Sequence, residues 1–477
     1  MWITTVMEVL FAAAVLSLLV DLAAGRRATR RAYAVGAVCG GAILVSLALL
    51  LSEWAPVQGF TTTQPVVDAF ATVYVADRFS IFVAFTVLVV GLVVTLFSWR
   101  SLGASDNIGP FYALVLLLIG SLVGVISAGD YLTLFLFWEG MSVAAYGLVS
   151  FGRTQLSLEA TMKYFFMAGI GSLLALYGIS LVNAATGSIQ LSAGLAALGS
   201  PAGALGLSVL VLGLGVEAAV VPLHTWLPDV YAAAPLPSAS LISGAVTGVG
   251  VFAILKVLQP LVGSLAPASS LLDIQILLAS LAFITMFVGN LSGLAQTNLR
   301  RILSFSSIAQ TGYMLAALST LSVPGLVAVV FTIWNHGLLK SNFFMLLGKD
   351  NSSYESAELE HLKGAGRQDR PLGFLYASNS LAMMGAPPFG MFWSEILVVW
   401  ALLSAQSGLF FWLAVVVVGN ILLSIGYYYK IINTVVFGKG EGSWIARRPA
   451  DLAPPVLMLL LSLATGLVPF LLLNQIA

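Results

Sequence analysis

The sequence predicts an all-α polytopic membrane protein with about fourteen transmembrane helices. Three observations lead there: charge is scarce, apolar residues run in long unbroken stretches, and the basic residues fall on alternate connections. Of 477 residues, 59% are hydrophobic and 8% charged, and mean hydropathy is +1.01. A soluble domain carries roughly 25% charged residues, so a water-exposed globule of this size is excluded. Twenty Lys and Arg balance twenty Asp and Glu. No basic stretch could neutralise a phosphate backbone, which excludes nucleic-acid binding. Cys39 is the single cysteine, so a disulfide framework and Cys-based metal or iron–sulfur sites are excluded too.

A membrane-crossing helix needs about 20 mostly apolar residues. Such stretches lie near 3–23, 32–52, 78–98, 109–129, 131–151, 160–184 and 204–226. They continue at 237–260, 271–296, 302–321, 323–348, 373–405, 408–437 and 453–475. Each is continuous rather than alternating, which excludes a barrel. The first lacks the basic flank and small-residue cleavage site of a secretory signal, and Asp21 and an arginine cluster follow it, so it is read as retained.

Charge on the connections sets the expected topology. One side holds Arg26, Arg27, Arg30, Arg31, Arg100, Arg153, Lys163, Arg300, Arg301, Lys349, Lys363, Arg367, Arg370, Lys430, Lys439, Arg447 and Arg448. The other side holds Arg78, while Lys256 and Lys340 fall inside the eighth and eleventh stretches. Basic loops face the cytoplasm. An even number of spans in the cytoplasmic (inner) membrane then puts both termini outside.

Ionisable residues inside spans cost about 2.5–3.5 kcal/mol or more each at the bilayer centre and mark functional positions. Glu139 lies mid-span in the fifth stretch, Glu217 in the seventh, Lys340 in the eleventh and Glu395 in the twelfth. The seventh stretch, VLGLGVEAAVVPLHTWLPD, carries Pro222 and the twelfth, NSLAMMGAPPFGMFWSEILVVW, carries Pro387 and Pro388. Proline removes a backbone donor and clashes with the preceding turn, so both helices are expected to break there. Taken as five-helix units, stretches 4–8 and 9–13 each have a broken helix in fourth place. An odd number per unit forces opposite orientations, the layout of inverted repeats with sites near broken helices. The expected organisation is an N-terminal three-helix segment (1–108), a first repeat (109–260), a second repeat (261–437) and a C-terminal helix (438–477).

Six motifs resemble one family. FLFWEGMSVAAYGLVSF (135–151), EATMKYFFMAGIGSLLALYGISLV (159–182) and EAAVVPLHTWLPDVYAAAPLPSASLISG (217–244) are similar to the antiporter-like membrane subunits of respiratory complex I, membrane-bound hydrogenases and Mrp-type antiporters. LRRILSFSSIAQTGYML (299–315), WNHGLLKSNFFMLLG (334–348) and APPFGMFWSEIL (386–397) continue the resemblance in order. YGISLV and GYYYKII look most like the N-type subunit of complex I. LHTWLPD and LISGAVTGVGVFAILK look more like D-type subunits.

The resemblance implies a proton-translocating subunit, with sodium as the alternative ion and other integral membrane subunits as partners. In the family, a glutamate in span 5 pairs with a lysine in span 7, and a lysine in span 8 and a charged residue in span 12 continue a polar axis. Glu139 and Glu395 match the first and last. Glu217 stands in place of the span 7 lysine, and the span 8 lysine falls at Thr247–Gly248. Two nearby carboxylates tend to share a proton, so Glu139 and Glu217 are expected to act as a carboxylate relay or to hold a cation. The alternative is a non-pumping scaffold. Neither reading involves bond chemistry, a catalytic residue, a metal or a cofactor.

Other residues carry two readings each. His336 and Lys340 share a face of one helix and are candidates for a central relay, or a packing histidine and a statically paired lysine. His224 either gates proton access or caps carbonyls freed by the break. Lys163, in the KYF motif, is a cation partner for Glu139 or is held by Glu159. Ser306, Ser307 and Gln310 order water or pack between helices. Asp229 is expected to cap the eighth span.

Overall fold

The computed structural model describes residues 2–23, 28–54, 66–67, 73–75, 77–102, 108–263, 268–348, 355–440 and 448–476. Arg26, Arg27, Lys349 and Arg447 of the basic loops lie outside them. Helices of eight residues or more are numbered here in order: α1 Trp2–Ala23, α2 Ala28–Trp54, α3 Arg78–Ser101, α4 Ile108–Ser127, α5 Tyr131–Ser150 and α6 Gln155–Thr186. Then come α7 Pro201–Leu214 and α8 Trp226–Ala233, and α9 Leu236–Leu261, which contains a π-helical turn at Ile242–Val246. The remainder are α10 Ala268–Ala295, α11 Leu299–Leu318, α12 Val323–Leu347, α13 Arg370–Met383, α14 Gly390–Ser404, α15 Gly408–Ile432, α16 Pro449–Leu467 and α17 Pro469–Ile476. A ladder of two residues per strand, Val66–Val67 against Val73–Tyr74, is the sheet among the described residues.

Helix starts follow from local chemistry. A short polar side chain before the first turn accepts an otherwise unpaired backbone N–H. Asp77 accepts from Ser80 N at 2.7 Å before α3, and Asp130 accepts from Thr133 N at 2.7 Å before α5. Thr154 and Ser157 form a reciprocal capping box at α6.

Eleven of these segments are long and apolar enough to cross a membrane among the described residues. Three of the fourteen expected stretches do not qualify. The seventh and twelfth are each split into two short helices, α7 with α8 and α13 with α14. The tenth, α11, carries Arg300, Arg301, Ser304, Ser306, Ser307, Gln310 and Thr311, which lowers its hydropathy.

That polar helix is nevertheless central. All of α11 except Arg301 is buried, as are α12 from Gly325 to Leu347 and α9 from Leu236 to Leu258. The periphery is the reverse: α6 turns Phe165, Phe166, Leu173 and Tyr177 outward, and α15 exposes Phe411 and Trp412. Apolar residues outside and polar residues inside is the arrangement hydrocarbon demands.

The breaks are placed differently from the prolines alone. Helix α7 ends at Leu214, eight residues before Pro222, so Glu217 lies inside the interruption. Helix α13 ends at Met383, and Glu395 sits on α14 beyond the break.

Candidate functional site

Backbone groups freed inside a membrane must find partners within the protein. In the first break, the Ala218 carbonyl accepts from Thr311 Oγ1 at 2.8 Å, and Val221 N donates to Thr285 Oγ1 at 3.2 Å. The Val216 carbonyl accepts from the Trp226 indole at 2.8 Å. A Cβ on Gly250 of α9 would come within 2.6 Å of Ala218 N, so only glycine lets α9 approach the break this closely. Thr311→Val would strand the buried Ala218 carbonyl, at a cost of about 1–3 kcal/mol. We expect a lower melting temperature for the purified protein, and Thr311→Ser should restore it.

Glu217 is held at the centre of this break, with no exposed surface. Ser142 Oγ of α5 donates to Oε1 at 2.7 Å, and the Tyr164 hydroxyl of α6 donates to Oε2 at 2.5 Å. The Tyr164 ring stacks on Trp226 at 4.0 Å between centroids and 6° between planes. Glu139, half-buried on α5, accepts from Ser172 of α6. Glu139 and Glu217 interact electrostatically, but each has its own hydroxyl donor.

Lys340 and His336 occupy the buried middle helix α12. Lys340 Nζ donates to the Leu303 carbonyl at 3.0 Å and to Ser306 Oγ, with the Tyr428 hydroxyl at 3.5 Å. Tyr428 donates to Ser306 at 3.0 Å, and its ring centroid lies 5.9 Å from Nζ. Among the described residues, no carboxylate lies within 4.0 Å of Nζ. His336 interacts electrostatically with Lys340 one turn away, and its Nε2 is buried without a hydrogen-bond partner.

Glu395 on α14 lies among Gln310, Tyr313, Thr332 and Ser394. Its carboxylate fills the space beside Gly385, where φ is +72° and an added Cβ would collide with it. Nearby lies a buried amide–phenol cluster. Asn290 donates to Tyr313 at 2.9 Å and to Asn420 Oδ1 at 3.0 Å, and it accepts from Tyr427 at 3.0 Å. Glu395 interacts electrostatically with Tyr313, Tyr427 and Tyr428.

Residues 128–423 match the NADH:quinone oxidoreductase/Mrp antiporter transmembrane family, a span that includes Glu139, Glu217, Lys340 and Glu395. The chain belongs to that family. It is 30% identical over 369 residues to NADH-quinone oxidoreductase subunit N of Cupriavidus taiwanensis, covering 74% of each chain. A chain of respiratory complex I from Thermus thermophilus matches with a TM-score of 0.81 and 27% identity, over 99% of both chains. A chain of the Mrp complex from Dietzia sp. DQ12-45-1b shares the fold, with a TM-score of 0.87 over 99% of this chain and 96% of that one, at 21% identity.

As a member of this antiporter family, the chain is a multi-pass membrane subunit with the expected all-helical fold. Several contacts differ from those expected. Lys163 does not meet Glu139; it is half-exposed at the protein surface and pairs with Glu159 and Asp229, each at 2.9 Å. Asp229 does not cap α9, because it sits in the first turn of α8 and faces Lys163 and Arg301. His224 lies inside the first break, two residues after Pro222, and its Nδ1 is buried without a hydrogen-bond partner. Lys256 packs against the start of α3. It is buried at the far end of α9, 3.1 Å from Ser80 Oγ and 3.9 Å from Asp77, and Gln259 donates to Asp77 at 2.9 Å. Thr247, at the place the resemblance assigns to a lysine, is buried directly after the π-helical turn.

Proposed function

We propose that this chain translocates protons along buried polar residues at mid-membrane depth, as one subunit of a complex I-like or Mrp-type assembly. The route runs from Glu139 and Glu217, by way of the hydroxyls around α9 and α11, to Lys340 and His336, and on to Glu395. Residues 109–260 and 261–437 then act as oppositely oriented five-helix units, each with its interrupted helix fourth. The basic loops face the cytoplasm and both termini the outside. Other integral membrane subunits cover part of the apolar flank and supply the drive.

The observation that carries this reading is Lys340. A lysine without exposed surface, held among the described residues by a carbonyl and two hydroxyls but no carboxylate, is costly to keep charged. It is therefore poised to change protonation when a neighbour does. Protons fit better than sodium, because both oxygens of Glu217 are already taken by hydroxyl donors.

The test is proton uptake by vesicles containing the assembled complex, in sodium-free buffer. Wild type should acidify without sodium, and Glu395→Gln, which keeps shape but cannot titrate, should slow uptake about ten-fold or more. Unchanged uptake in that variant would remove Glu395 from the route. A scaffold, by contrast, would tolerate Glu217→Leu with no change in coupling by the whole assembly.

A further inference from the structure

On the side of the basic loops, a cavity of about 250 Å³ opens between α6, α8 and α11. Its walls include Glu159, Ala160, Lys163, Asp229, Ala233 and Arg301. Asp229 is the hub: Oδ2 is 2.9 Å from Lys163 Nζ and Oδ1 is 3.4 Å from Arg301 Nη1. Lys163 is shared with Glu159, and Arg301 Nε donates to Gln296. These pairs are part-exposed, and such pairs hold by no more than about 1 kcal/mol, so they open readily.

The helices that line the cavity also carry the contacts of the buried relay. Ala160 lies one helical turn from Tyr164 on the same face of α6, and Asp229 lies about one turn from Trp226 on α8. Tyr164 and Trp226 stack on each other, and Tyr164 donates to Glu217. One turn deeper, the two helices that form the mouth thus carry Tyr164, which bonds Glu217, and Trp226, which stacks on Tyr164.

We infer that this cavity is the water-filled entrance for protons and that Asp229 is the carboxylate that receives them. The inference rests on Glu217 being part of the proton route. A proton captured by the Asp229 carboxylate passes through vestibule water to the Tyr164 hydroxyl oxygen as the Tyr164 proton moves to Glu217 Oε2. Asp229 ends ionised, Tyr164 neutral and Glu217 protonated, with one proton moved inward. Lys163 and Arg301 return Asp229 to its ionised form, and Glu159 keeps Lys163 in place.

The experiment uses the assembled complex in vesicles, with the pH change followed by a trapped dye. Asp229→Asn should slow proton uptake about ten-fold or more, and Asp229→Glu should recover a clearly measurable part of it. Uptake unchanged in Asp229→Asn overturns the inference. So does an equal loss in both variants, which would show that Asp229 only clamps α8 to its neighbours. Ala233→Cys gives a second reading that does not depend on Asp229 variants assembling. Cys39 is buried, so within this chain a charged thiol reagent reaches only the new cysteine, and the complex without Ala233→Cys, treated alike, is the control. Labelling should stop uptake, and uptake indifferent to labelling overturns the entrance. If Glu217→Gln blocks uptake while these changes do not, protons reach Glu217 elsewhere. If Glu217→Gln is also silent, the relay itself is wrong.

Discussion

Replacing Lys340 with Met should lower proton translocation by about 10²-fold or more, the loss expected when a titrating step is deleted rather than slowed. The side chain has no exposed surface, and Met fills nearly the same volume without a charge, so the fold should survive. Its removal also relieves the cost of holding a cation in a low-dielectric interior. The melting temperature should therefore hold or rise while flux is lost. That pairing separates a carrier from a strut, because losing a structural clamp would lower both. Flux measured in vesicles and melting measured on the same preparation settle the matter, and normal coupling in Lys340→Met would exclude Lys340 from the path. Ser306→Ala and Tyr428→Phe remove two of its three oxygen contacts and should reduce flux by smaller factors.

Glu217→Gln is expected to be comparably severe. The amide keeps the size of the carboxylate and can still accept from Ser142 or Tyr164, but it cannot carry a proton. Flux should fall by about 10²-fold with little change in stability. Tyr164→Phe should act through the same carboxylate, since it removes the donor at 2.5 Å while leaving the ring to stack on Trp226. Glu139→Gln should be milder. Glu139 is only half-buried and its donor is Ser172, so its place at the edge of the pair can be bridged by water. Equal wild-type flux in Glu217→Gln and Glu139→Gln would end the carboxylate relay.

The charged members of this site were readable from the sequence, for a physical reason. A carboxylate or ammonium in an apolar run stands out because hydrocarbon rejects it. Glu139, Glu217, Lys340 and Glu395 announced themselves that way, and proline chemistry located both interruptions to within a few residues. Tyr164, Tyr428, Tyr313 and Tyr427 did not stand out, since a tyrosine in a helix looks like core until its hydroxyl partner is known. The neighbouring Lys163 for Tyr164, and the run GYYYK for Tyr427 and Tyr428, were the available hints. Pairings were the least legible. Whether Lys163 served Glu139 or Glu159 was open, and the answer brought in Asp229 from a helix 66 positions away in the chain. Spacing along one helix cannot reveal a partner on another. Asp229 was misplaced because the first half-helix continues past the break, so its aspartate lies within α8 and not at the head of α9.

The π-helical turn at Ile242–Val246 accommodates one residue more than an α-helical path would. Each residue of an α-helix advances about 100° around the axis, so everything after that turn is rotated by about that angle relative to an uninterrupted α9. Excising a single residue there would swing Thr247 off its present facing and carry Lys256 away from Ser80 and Asp77. The turn thus works as a phase shifter between two halves of one helix. Aligning this chain with a relative by counting residues compares the same side of the helix only when both carry the same insertion.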